Sequence, residues 1–150
     1  MAPPRLFVQP HVVEFGECDP AGIVFYPNFY RWFDRATHRM FGEIGYTFRQ
    51  LLDEHELIAW PLIDTGARFR LPVTAGDRVE IRSCVTEIHA KTFRISHQVF
   101  KDDELMVDGF EIRFLGRRLS TTPMRLTTVP LPDAMRKALA GSREAADPAG

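Results

Sequence analysis

The residues best placed to do chemistry are those of a carboxylate-bearing tight loop just ahead of a helix. The segment Glu14-Phe15-Gly16-Glu17-Cys18-Asp19-Pro20-Ala21-Gly22-Ile23-Val24-Phe25-Tyr26-Pro27-Asn28-Phe29 has this form. Asp19-Pro20-Ala21-Gly22 is turn chemistry, and Pro27 is the residue favoured in a first helical turn. The N–H groups that open a helix have no intrahelical acceptor, and with the helix dipole they favour a developing oxyanion. Gly22 lets the main chain come close to a ligand. A carboxylate beside such a site can attack a carbonyl or deprotonate water. Taken alone, a turn aspartate ahead of proline is the simpler reading.

Other chemistries find less support. Cys18 adjoins the loop but has no histidine near it in sequence, so it reads as a small packing residue and not as a nucleophile. Cys18 and Cys84 are too few for a disulfide framework, and no Cys/His spacing suggests zinc. His38, on a helix, and His97, on the apolar side of a strand, read as core or interface histidines. His11, His55 and His89 read as surface residues. Arg68, Arg70, Arg78 and Arg82 read as a solvated strand face, and are also charges of the kind that meet phosphates.

The elements that must position the loop follow from periodicity. Residues 6–16 alternate as a strand, with Phe7, Val13 and Phe15 on one side. Phe29, Phe33, Ala36, Met40 and Ile44 recur every three or four residues, which predicts a helix of about five turns from Pro27 to Gly45. Thr47 and Gln50 have capping-box spacing for a short second helix. From residue 57 the period becomes two. One strand is expected from Ile58 to Leu71, interrupted near Trp60-Pro61. Others are expected over Val79–Val85, Phe93–Val99, Leu105–Leu115 and Arg125–Val129, with a turn at Lys101-Asp102-Asp103-Glu104. A tail from Pro132 begins as a helix and frays. One strand, one long helix and a run of antiparallel strands make an α+β plan in a single domain over residues 1–150, the sheet curled around the helix.

Composition sets the outer limits. The chain has 150 residues, 45% hydrophobic and 26% charged, with a net charge of −1. That is the balance of one globular domain, without the basic footprint of a nucleic-acid or membrane surface. No apolar leader and no membrane-length stretch is evident, so a cytoplasmic, reducing location is expected.

The run from Glu14 to Pro27 resembles the 4-hydroxybenzoyl-CoA thioesterases of the acyl-CoA thioesterase superfamily. Its Asp-Pro-Ala-Gly-Ile-Val loop, then Tyr-Pro-Asn and a long helix, carries the likeness. The likeness is strongest over residues 12–45 and fainter to about residue 130. It implies a hotdog fold and hydrolysis of an acyl-CoA thioester without metal or organic cofactor. It assigns Asp19 as nucleophile or general base, the Tyr26 backbone N–H as the group polarising the carbonyl, and Gly22 as the special turn. It also implies a homo-oligomer, dimer or tetramer, in which two protomers join sheets with the active site between them.

Coenzyme A would be held by basic residues at a strand junction, of which Lys91 matches, with Arg70 as a further phosphate contact. Two neighbouring arginines of the benzoyl-specific relative stand here as His89 and Ala90. Trp60 and Pro61 fall where the relative lines its acyl pocket, and there too the sequence differs. Trp60 by itself reads as either core or pocket wall.

Two rival functions exist for this fold. A hydratase needs a histidine about five positions after the aspartate, and that position is Val24. A non-catalytic module binding acyl-CoA or an acyl-carrier protein is the alternative to the esterase. The expected acyl group is compact, aromatic or short.

Overall fold

The computed structural model describes residues 3–140. Pro27 opens the long helix α1 (Pro27–Glu43) at its first position, where no intrahelical bond is lost. The helix ends in a Schellman motif: Gly45 takes φ +95°, Tyr46 N–H donates to the Phe41 carbonyl and Gly45 N–H to that of Gly42. Thr47 and Gln50 form the expected capping box of α2 (Phe48–His55).

The strands are β1 (Phe7–Val12), β2 (Leu57–Phe69), β3 (Arg78–Ile88), β4 (Phe93–Lys101), β5 (Glu104–Thr121) and β6 (Met124–Val129), followed by α3 (Asp133–Leu139). They form one antiparallel sheet in the order β1-β3-β4-β5-β2, with β6 paired to the far end of β5. The concave face wraps α1, which buries Phe29, Trp32, Phe33, Ala36, Thr37, Met40 and Phe41. This is the α+β hotdog architecture. No described helix is long and apolar enough to cross a membrane.

Two expectations need correction, and a third takes a definite form. The first strand stops at Val12, because hydrogen bonds from Glu17 N–H to Glu14 and from Cys18 N–H to Phe15 turn the chain into a 3₁₀ turn. Phe15 is thereby 87% exposed and not on the buried side. The strand expected to end near Leu115 runs on to Thr121, since β6 supplies a partner for the extra length. The break near Trp60-Pro61 is a pair of register shifts within β2, where Pro61 has no N–H for the ladder. The fraying expected after residue 140 lies outside the described residues.

The centre of the concave face is polar. Ser83, His97, Glu111 and Arg113 share the inward side of β3, β4 and β5 with the apolar residues, and all four are buried. Ser83 Oγ lies 2.7 Å from His97 Nδ1, and Glu111 Oε1 lies 2.7 Å from Nε2. The buried Thr37 hydroxyl of α1 donates to the same Glu111 oxygen. Arg113 Nη2 donates to Glu111 Oε2 at 2.5 Å and to Asp34 at 2.8 Å, while Nη1 donates to the Trp60 carbonyl at 2.6 Å. The Phe33 ring stacks on His97 with centroids 4.9 Å apart. Gly109 permits this: a Cβ there would stand 2.6 Å from the Phe33 ring. His97 is therefore a satisfied core histidine, as read from its strand position.

Candidate active site

Residues 18–24 form a small hairpin. Asp19 N–H donates to the Ile23 carbonyl, Gly22 N–H to the Asp19 carbonyl, and Phe25 N–H to the Glu17 carbonyl, each at 2.9 Å. Gly22 closes the turn at φ +83°, a conformation that disfavours any side chain. The half-buried Asp19 accepts Ala21 N–H on Oδ1 at 2.8 Å. Among the described residues Oδ2 has no hydrogen-bond partner, so one oxygen is held by the turn and the other has no donor.

The hairpin leads straight into α1. Pro27 has no N–H, Asn28 N–H is taken by Phe25 and Phe29 N–H by Tyr26. The Tyr26 N–H has no acceptor among the described residues, so it is the donor the helix start leaves over. Asp19 and Tyr26 thus stand on one continuous piece of hydrogen-bonded backbone.

The outer rim of the hairpin rests on the segment before β3. Val24 N–H donates to Val73 at 2.8 Å and Ile23 bridges Thr74. Asp77 pins that segment, accepting Thr74 N–H and Lys101 Nζ at 2.9 Å each. Burial tends to raise the Asp77 carboxyl, but these bonds outweigh it and hold it below the usual range. Between hairpin and segment lies an apolar cavity of about 300 Å³, lined by Tyr26, Phe29, Phe69, Arg70, Leu71 and Val73 among others.

Tyr26 and Phe69 are about half exposed, so the cavity is open on one side. Arg70 sits on its rim, where its main-chain N–H donates to Met106 and its guanidinium lies 3.9 Å from Asp108.

Tyr26 and Arg70 line this cavity, Asp19 and Gly22 lie on the hairpin that leads to Tyr26, and the remaining candidates lie elsewhere. Trp60 is 1% exposed, stacked on Phe41 with centroids 3.6 Å apart and edge-on to Phe93. Its ring is core, and neither it nor Pro61 lines the cavity beside Tyr26. Packing against the C-terminal half of α1 draws the ring inward there. Lys91 is exposed in the turn after β3. The eleven residues of that strand, about 33 Å long, separate it from the hairpin.

Sequence reasoning missed a cluster behind the hairpin. Glu17 accepts the Trp32 indole N–H at 2.5 Å and Glu14 N–H at 2.9 Å, with His11 Nε2 also at 2.9 Å. His11 is no plain surface residue: its ring packs on Trp32 and its Nδ1 lies 3.1 Å from Arg35. The capping-box spacing of Glu14 and Glu17 was the available signal.

The chain is similar to known proteins over most of its length. The family model of the thioesterase-like superfamily matches residues 13–139. The 4-hydroxybenzoyl-CoA thioesterase of Pseudomonas sp. strain CBS-3 is 35% identical over 107 residues, 67% of this chain and 76% of that one. A 1,4-dihydroxy-2-naphthoyl-CoA hydrolase of Thermosynechococcus vestitus is 25% identical over 135 residues, 90% of this chain and 89% of that one.

Among solved structures, a mutant 4-hydroxybenzoyl-CoA thioesterase complexed with 4-hydroxybenzoyl-CoA superposes with a TM-score of 0.84 at 28% identity, covering 90% of this chain and 99% of that one. A gentisyl-coenzyme A thioesterase has a TM-score of 0.75 at 31% identity, covering 90% and 100%. On this match of sequence and architecture, the chain belongs to the 4-hydroxybenzoyl-CoA thioesterase family of the thioesterase-like superfamily and is a thioester hydrolase.

Proposed function

We propose that the protein hydrolyses the CoA thioester of an aromatic or short acyl group, with Asp19 as nucleophile or general base. The observation that carries this reading is the pairing, on one stretch of backbone, of an Asp19 carboxylate oxygen without a partner and the unpaired Tyr26 N–H. The thioester carbonyl oxygen takes the Tyr26 N–H, which meets the charge that grows on that oxygen. Asp19 then adds to the carbonyl carbon, expelling the CoA thiolate and leaving an anhydride for water to open, or it removes a proton from the attacking water. The acyl group lies in the cavity lined by Phe29, Phe69 and Val73. The relatives' aromatic substrates agree with such a wall.

A panel of CoA esters followed with Ellman's reagent tests this. Each added methylene that fits contributes about 0.8 kcal/mol, so pocket length and not hydrophobicity decides the cut-off. Benzoyl-type or short aliphatic esters are expected to have the highest kcat/KM, falling beyond about eight carbons. A kcat/KM that climbs steadily to palmitoyl-CoA would defeat the reading of a closed pocket.

The active assembly is a homo-oligomer, dimer or tetramer. Strand β2 is an edge of the sheet, and it carries Leu62 and Ile63, each about half exposed. An apolar edge of this kind favours pairing with another copy. The open side of the cavity also suits a covering protomer. Light scattering is expected to give a multiple of 17.2 kDa, and a fully active monomer at assay concentration would refute it.

The distance from Lys91 to the hairpin has a consequence for coenzyme A. In such an assembly, the lysine that meets the nucleotide phosphates belongs to another copy, while Arg70 acts from the same chain as the cavity. Lys91→Ala is expected to raise KM much more than it lowers kcat, because the contact is remote from the reacting carbonyl. Added salt should weaken the wild type more than the variant. Unchanged KM and salt dependence would remove Lys91 from the site.

A further inference from the structure

We propose that Glu17 is a positioning residue for the hydrolysis, setting the Asp19 hairpin against the Tyr26 N–H by contacts at both ends of one residue. It rests on the reading of Asp19 and Tyr26 as the reacting pair, and extends it to what holds them in register.

Glu17 stands at the base of the hairpin, and its two halves tie different things. Its main-chain carbonyl accepts Phe25 N–H at 2.9 Å and the Asn28 side-chain amide at 2.7 Å. Its carboxylate takes the Trp32 indole N–H on Oε2 and Glu14 N–H on Oε1, with His11 against both oxygens at 2.9 and 3.2 Å. Asn28 and Trp32 are on the first and second turns of α1, and His11 is near the end of β1.

Glu17 therefore joins hairpin, helix and sheet edge on the inner side, opposite the rim that Val73 and Thr74 hold. Burial tends to raise its carboxyl, but the bonds from Glu14, His11 and Trp32 outweigh this and keep it below the usual range. The clamp is thus an anion with its donors arranged around it. Glu17 does not line the apolar cavity, so it bears on geometry and not on substrate binding. A misplacement of about 1 Å in reacting groups costs about a hundredfold in rate.

Glu17→Gln preserves size but supplies a single side-chain acceptor oxygen, turning its amide hydrogens toward Glu14 N–H or Trp32 N–H. The expected result is a fall in kcat of about thirty- to a hundredfold, with KM for benzoyl-CoA within about threefold and an unchanged circular dichroism spectrum. In the Asp19→Asn background, Glu17→Gln is expected to cause no further loss of the residual rate, since it acts through Asp19. Trp32→Phe, which removes one donor, should lower kcat by a smaller factor with KM again unchanged.

Wild-type kcat in folded Glu17→Gln beside an inactive Asp19→Asn would overturn the proposal alone. So would a raised KM with unchanged kcat, or a full additional loss in the Asp19→Asn background. Should Glu17→Gln not fold, Trp32→Phe decides, and wild-type kcat there overturns the proposal. Activity that survives Asp19→Asn defeats the reading of Asp19 and this proposal with it, and is seen without any Glu17 variant.

Discussion

Asp19→Asn is expected to lower kcat at least about a thousandfold, on a benzoyl-type CoA ester, while fold and ester binding persist. Asparagine has nearly the same shape, and its side-chain oxygen can still accept the Ala21 N–H that Asp19 Oδ1 accepts at 2.8 Å. What is lost is the charge on the second oxygen, the atom that in the proposed reaction adds to carbon or takes a proton from water. The Tyr26 N–H and the apolar cavity are untouched, so binding should be retained. Stopped-flow turnover and equilibrium titration of the same ester measure the two separately. A variant within tenfold of wild-type kcat, with unaltered ester affinity, would remove Asp19 from the chemistry.

Glu111→Ala should have the largest effect on stability, about 3–5 kcal/mol, because it leaves Arg113 buried with half its charge compensation gone and strands His97 and the Thr37 hydroxyl. The remaining carboxylate on Arg113 is Asp34, whose side chain is 55% exposed. At this chain length the loss corresponds to a fall in melting temperature of about 10 °C, read at fixed protomer concentration.

The pH dependence has a definite sign. Burial tends to raise the Glu111 carboxyl, but hydrogen bonds from His97 and Arg113 outweigh it and hold the group at about 2, against 4.5 when free. The network's contribution is therefore complete above about pH 4.5 and is lost as pH falls toward 2. Wild-type stability should drop across that window, and that of Glu111→Ala should change less. Equal stability of the two proteins at neutral pH, in urea titrations, would mean that the network contributes nothing net.

The Asp19 hairpin was legible because its signals are local. Turn propensity, a first-turn proline and the periodicity behind it are properties of adjacent residues, and the resemblance rests on the same short run. The buried polar row was less so, although half of it was in view. Val107, Gly109, Glu111, Arg113 and Leu115 have one parity in the strand expected over Leu105–Leu115, and parity alone puts two charges inside. A charge on an inward position reads as an error until its partners are known, and Thr37, His97, Asp34 and the Trp60 carbonyl come from three other elements.

Trp60 shows the same limit from the other side. Whether a tryptophan at a strand break faces core or cavity depends on the rings that meet it, and Phe41 and Phe93 lie 19 and 33 residues away along the chain.

By itself, the sequence determined the main elements, their order, the helix start at Pro27, its stop at Gly45 and the turn that presents Asp19, since each follows from backbone preferences and side-chain period within a few residues. Tertiary structure decided which side chains share a space. It brought Arg70 to the cavity, drew Trp60 into the core and left Lys91 at the far end of β3. It also closed Glu17 onto His11 and Trp32, because hydrogen bonds between distant segments depend on sheet register and on the seat of α1, which no local pattern encodes.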